Sequence, residues 1–179
     1  SIRYKSGEDA SCNNLYQSTQ PRALGVSDRF IKSFDSQTSP QFAWGGSLAQ
    51  SAAEKQNPWQ LLASKEAHAG TAEDPIPVIL DKNTANYSLK IYATNTVKLV
   101  QYDSGESIHY RVVGFLANTI LQGSLIMSEI DFEEAFPTDA GYQYFLIREG
   151  ASTGSTSNSN NVSLLEEHYS DQGFDARSA

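Results

Sequence analysis

The chain has 179 residues, of which 39% are hydrophobic and 19% charged. That is one domain with room for two lobes, apolar enough for a core and too lightly charged for a disordered acidic tail. Thirteen Lys and Arg against 21 Asp and Glu give a net charge of −8; no stretch pairs dense basic residues with aromatics, which argues against nucleic acid, and no run of about 18 apolar residues spans a bilayer.

The first part, residues 1–74, reads as irregular. Ser1–Lys5 is extended, and Asp9–Tyr16 is rich in turn formers. Ser27 can cap a short helix over 28–34 that buries Phe30, Ile31 and Phe34. Residues 35–57 are mostly Ser, Gln, Gly and Ala around Phe42 and Trp44, and give no element. Asn57 followed by Pro58, Trp59, Gln60, Leu61 and Leu62 reads as a capped helical turn with proline at its first position, where a missing N–H is harmless. Residues 65–74 form a polar loop.

A core of hairpin, helix and strand is predicted over 75–149. The apolar run Pro77–Leu80 is a buried strand, and Asp81 caps a helix from Lys82 to about Leu89 whose inner face holds Ala85, Leu89 and Tyr92. Residues 96–102 alternate, Asp103-Ser104-Gly105 is a tight turn, and 107–116 is extended, so the two strands form a hairpin. Leu125–Met127 is a further strand. Ser128 with Asp131 resembles a capping box for a helix with Phe132 and Phe136 facing inward at i, i+4, and Pro137 ends it. Residues 142–148 read as a strand by aromatic and aliphatic content.

Residues 150–161 contain no large apolar side chain and read as a flexible loop. A last helix lies within 162–175, with Leu164, Leu165 and Tyr169 inward and Gly173 at its C-terminal cap. The fold class is α+β, with a mixed or antiparallel sheet and short helices rather than alternating βαβ units.

Chemistry is sparse in this pattern. Cys12 rules out an intrachain disulfide framework and any cysteine-based cluster. Its neighbours Asp9, Ser11, Asn13 and Asn14 do nothing to activate a thiolate, so it reads as a small buried thiol. His68, His109 and His168 are scattered without metal-ligand spacing and read as solvated or structurally satisfied. Gly45-Gly46-Ser47 lacks the frame of a nucleophile elbow, and no phosphate-cradling loop is present. Glu129, Asp131, Glu133 and Glu134 follow the first-turn preference and wet face of one helix rather than a calcium loop. No catalytic, cofactor-binding or metal-binding residue is assigned. No signal peptide is visible, so the chain is either cytosolic or a piece of a protein whose targeting element lies elsewhere.

Three stretches, in order, resemble the extracytoplasmic (periplasmic core) domain of FtsX-like, MacB-type ABC transporter permeases. The first is Glu8–Tyr16 followed by Gln20–Val26. The second is Pro75–Leu89. The third runs Tyr110–Leu116, Leu121–Glu129, Phe136-Pro137, Gly141-Tyr142 and Phe145–Ile147. The tail Leu164–Glu167 with Gly173–Asp175 is similar to the family's lead into its next membrane helix. Two departures are Ala93-Thr94-Asn95, where the family has Gly-Asp, and the insertion-like 150–161 segment.

The resemblance implies a single extracytoplasmic domain over 1–179, held outside a bacterial cell membrane between two membrane helices of a longer permease. A cytoplasmic ATPase partner would move it mechanically, and its outer surface would meet a partner protein or amphiphilic cargo without catalysis. The alternative is a PAS-like ligand-sensing module, for which a pocket lined by Trp44, Trp59 or Tyr87 would speak. An enzyme with a dispersed site would place His109 or His168 beside a buried carboxylate in a cleft.

Overall fold

The computed structural model describes residues 1–7, 20–36, 42–139 and 141–143, all inside the unit Ser1–Leu146. Cys12, His168, the 150–161 segment and the 162–175 helix lie outside the described residues, as does all but the start of the expected 142–148 strand. That start, Tyr142 and Gln143, is irregular and exposed rather than extended in a sheet.

The architecture is α+β, with short helices on a mixed seven-stranded sheet. Its strands are β1 (Ile2–Lys5), β2 (Arg22–Val26), β3 (Ala43–Ser47), β4 (Ile76–Asp81), β5 (Val97–Gln101), β6 (Ser107–Ala117) and β7 (Ser124–Ser128). The order across the sheet is β1-β2-β7-β4-β6-β3, with β5 also pairing β6. Strands β2 and β7 run parallel, as do β4 and β6, while β1–β2, β4–β7, β3–β6 and β5–β6 are antiparallel.

Every residue of β4 and of β7 is buried. Strands buried on both faces need an apolar layer on each side. Ile76, Val78 and Leu80 of β4 join Leu125, Met127, Phe132 and Phe136 in one cluster, while Ile79 joins Ile126, Leu24, Val26, Ile31, Trp59 and Leu62 in the other. Helix α3 (Glu129–Ala135) closes the first layer; α1 (Asp28–Lys32) and a 3-10 turn at Pro58–Leu62 close the second. A bulge changes the facing of β6: Val78 pairs with Val112 but Ile79 pairs with Gly114, leaving Val113 as the extra residue. Tyr110 and Val112 therefore face the α3 layer, whereas Val113 and Leu116 face the opposite one.

The predicted caps are present. Ser27 accepts from the Phe30 amide, Asn57 from Trp59, and Ser128 from Asp131. Asp81 Oδ1 accepts the amides of Asn83 and Thr84 at 3.0 and 3.1 Å, although the segment it starts is a π turn at Thr84–Ser88 rather than a full helix to Leu89. Ala85 and Leu89 are buried as expected. Tyr92 is not: Lys90 takes φ of +53°, which breaks the helical path and leaves Tyr92 74% exposed.

Two elements in 35–57 escaped the sequence pattern. Strand β3 carries Gly45 as a bulge between Trp44 and Gly46, so it lacks both strand-forming content and a clean alternation. Helix α2 (Ala52–Gln56) buries no side chain and so shows no apolar stripe; it is held by a full capping box of Ser51 and Glu54. Phe30 and Phe34, expected inside, are half-buried at the rim of an aromatic group around Trp59, with ring centroids 5.0 and 5.9 Å from it. The hairpin forms as read, with Val100 and Tyr102 inward and Val97 and Leu99 outward.

Helix α3 sits close to β2 because Gly25 has no side chain; a Cβ there would come within 2.7 Å of Phe132 Cβ. Phe132→Ala and Phe136→Ala are each expected to lower stability by about 3–5 kcal/mol, and Gly25→Ala by about 1–3 kcal/mol through overpacking, as read from urea unfolding. Losses below about 1 kcal/mol for both phenylalanines would remove α3 from the core.

Candidate functional site

The four acids of the 129–134 segment, read as one wet face, have separate environments. Glu129 meets Arg3 Nε at 3.0 Å, and Glu133 meets the same guanidinium through Nη2. The Tyr142 hydroxyl donates to Glu129 at 2.7 Å, and the Arg3 guanidinium lies 5.0 Å from the Tyr142 ring centroid. Glu134 is exposed. Asp131, in contrast, is wholly buried, which corrects its placement on a solvated face. It is kept there by donors: Ser128 Oγ donates to Oδ2 at 2.6 Å. The backbone amide and Nδ1 of His68 reach Oδ1 at 2.8 and 2.9 Å. A buried carboxylate is tolerable only when so satisfied.

Asp131 therefore fixes a loop residue 63 positions away. With the Asp131 carboxylate as acceptor, Nδ1 of His68 is the donor of this bond. A further bond, from the His109 amide to Gly70 O at 2.8 Å, ties the same loop to β6. His109 itself lies mid-strand opposite Leu99.

This loop, the β5–β6 turn and the end of α3 enclose an open cleft of about 340 Å³. Ile76, Ile108 and Ala135 give it apolar walls, and His68, Glu106 and Glu134 give it polar ones. A second open cleft, of about 410 Å³, is lined by Lys5, Gln20, Tyr102 and Asp103 among others. Lys5 stands beside both, with Nζ 2.9 Å from Asp139 and 3.5 Å from Glu106. Burial works against the Lys5 ammonium, but the hydrogen bond to Asp139 and the two nearby carboxylates hold its pKa above the ordinary value. A hydrogen bond from Ser104, helped by Lys5, holds Glu106 below the usual carboxylate value. Burial pushes the Tyr110 hydroxyl up to about 12 and raises Tyr102 further; the Tyr102 hydroxyl donates to Pro21 O at 2.8 Å.

Trp44, Trp59 and Tyr87 do not converge on either cleft. Trp59 is 1% exposed inside the aromatic cluster, and Tyr87 is 68% exposed. Among the described residues no group of three or more His, Cys, Asp or Glu is placed to hold a metal ion, and no helix is long and apolar enough to cross a membrane. Compared with known proteins, the chain matches no family model, no curated protein and no solved structure.

Sequence reasoning placed His68 correctly in a polar loop but missed its partner. The Ser128-x-x-Asp131 spacing signals a helix start, yet nothing local to residue 131 points to residue 68. Asp131→Ala is expected to lower stability by about 3 kcal/mol, because it strands the His68 and Ser128 donors in a dry site. The Glu106 pKa is depressed in the fold, so its contribution is present above its ordinary value near 4.5 and is lost as pH falls through the folded value. Thermal melts of Glu106→Gln should accordingly show a shallower acid limb below about pH 4.5 than the parent chain; parallel limbs would contradict the depressed Glu106 carboxylate.

Proposed function

We propose that the chain is the extracytoplasmic domain of an FtsX-like, MacB-type ABC transporter permease subunit. It stands outside the cell membrane, is driven by a cytoplasmic ATPase through the parent's membrane helices, and meets a partner protein or amphiphilic cargo there. Its part is mechanical and makes or breaks no covalent bond.

One observation carries this reading. The stretches that resemble the permease domain are far apart in sequence, yet four of those within the described residues lie next to one another in the sheet. Gln20–Val26 contains β2, Leu121–Glu129 contains β7, Pro75–Leu89 contains β4, and Tyr110–Leu116 lies within β6. These are the four consecutive central strands β2-β7-β4-β6. Four pieces of the likeness therefore fall on one contiguous block, as shared architecture would require.

The physical properties of that block suit the role. A domain that passes on displacement needs a stiff body, and close-packed interiors deform little. Strand β1, at the sheet's edge, is cross-braced through Arg3 to Glu129 and Glu133 of α3, and through Lys5 to Glu106 and Asp139. A force applied along β1 would then reach α3 and the hairpin together.

The test uses the parent polypeptide in its bacterial host. Lys55 is exposed on α2; Lys55→Cys in a Cys12→Ser background should react with a membrane-impermeant maleimide on intact spheroplasts. The labelled protein should remain in the membrane pellet after alkaline carbonate extraction. Labelling only after lysis, or release into the soluble fraction, would overturn the assignment.

A further inference from the structure

We propose that the open edge of β5 is a docking site for an extended, acidic segment of a partner protein, which pairs with β5 as an added strand and sets a carboxylate beside Arg111. The inference deepens the partner-protein reading above and rests on it only for where the partner is met. Pairing itself is a property of this chain.

The backbone supplies the first argument. Strand β5 pairs only with β6 among the described residues. Thr96 O accepts from the Val112 amide at 3.0 Å, and the Tyr102 amide donates to Glu106 O at 2.8 Å. In an antiparallel ladder every second residue turns both of its backbone groups toward the partner, so Thr96, Lys98, Val100 and Tyr102 face β6. The amides and carbonyls of Val97, Leu99 and Gln101 then point away from it, and no strand among the described residues receives them. Such a row is a template for another strand.

The side chains on this edge leave it open. Val97 and Leu99 share one face and are 43% and 54% exposed. Open edges are commonly blunted by charges, proline or a bulge. Here the strand's only charge, Lys98, lies on the opposite face, and the register with β6 runs from Val97 to Gln101 without a break.

Charge selects the occupant. Residues 96–102 and 107–111 contain Lys98, His109 and Arg111 and no Asp or Glu. Arg111 stands opposite Val97, on the face that carries Leu99, and has no ion pair among the described residues. The acids of the turn are engaged elsewhere: Asp103 accepts from Gln20 at 2.6 Å, and Glu106 meets Lys5. In a chain of net charge −8 this ribbon is a local cationic stretch, and a guanidinium holds a carboxylate through a planar fork of donors. A lipid surface could meet the cations but not the row of backbone groups. The β5 of a second copy would bring no acid to Arg111. An acidic strand satisfies both.

The experiment titrates the 179-residue chain with the blocked peptide Thr-Val-Thr-Val-Thr-Glu-Thr. Its valines can pair with Gln101 and Leu99, which puts its glutamate beside Val97 and Arg111. Amide hydrogen exchange read by NMR should slow by about tenfold or more at Val97, Leu99 and Gln101 on saturation, with little change at Lys98 and Val100, which already bond to β6. The same peptide with lysine for glutamate should bind roughly fivefold more weakly, and the peptide N-methylated along its whole backbone should not bind. Arg111→Gln, its fold verified by its unfolding curve, should cut the preference for glutamate to within about twofold. Equal binding of the N-methylated peptide, an unchanged preference in Arg111→Gln, or no protection of the three amides would each overturn the site. So would protection that grows with the concentration of the chain alone, which gives the edge to a second copy, or binding to phosphatidylglycerol vesicles in place of the peptide, which gives it to a lipid surface. All of these are read on the isolated chain and leave the maleimide result untouched, so the two proposals fail separately.

Discussion

Burial of β4 on both of its faces is the constraint that organises the described structure. A strand whose six residues are all withdrawn from water cannot sit at the surface of a two-layer fold, because one row of its side chains would face solvent. The chain meets the requirement by placing α3 and the π turn on one side, with α1 and the 3-10 turn on the other. The bulge at Val113 lets β6 serve both layers: its first half supplies Tyr110 and Val112 to one, and its second half Leu116 to the other. Alternation alone would have left one of these layers short of apolar residues.

The same arrangement sets up the cleft. Helix α3 must start where β7 ends, so Ser128 and Asp131 are fixed at the end of this central strand and face the 64–74 loop. The loop is polar and has no core of its own; the bonds from His68 to Asp131 and from His109 to Gly70 hold it in place. Packing thus fixes the backbone and one buried carboxylate fixes the loop.

Much of this was legible from local pattern. The caps at Ser27, Asn57, Asp81 and Ser128, the hairpin around Gly105 and the buried run at 77–80 all rest on interactions within a few residues, which sequence records directly. What stayed hidden was either weakly patterned or long-range. Strand β3 hides behind two glycines and a bulge, and α2 has a capping box but no buried face. The break after the π turn takes a positive φ at Lys90, which residue type does not announce. The pairing of Asp131 with His68 is invisible for a different reason: a carboxylate in the first turn of a helix is nearly always wet, and only the loop folding over it makes this one dry. Tertiary packing decided each of these cases.

Native-state hydrogen exchange across a urea series tests most directly whether the double-sided sheet makes this one stiff body. The amides of β4, β6 and β7 should converge on a single isotherm whose free energy equals that of global unfolding, with the α1 and α3 layers joining it at moderate urea. If β4 amides instead exchanged through a smaller opening than the rest, or if the two layers opened on separate isotherms below the global value, the central strand would not be the element that unites the domain.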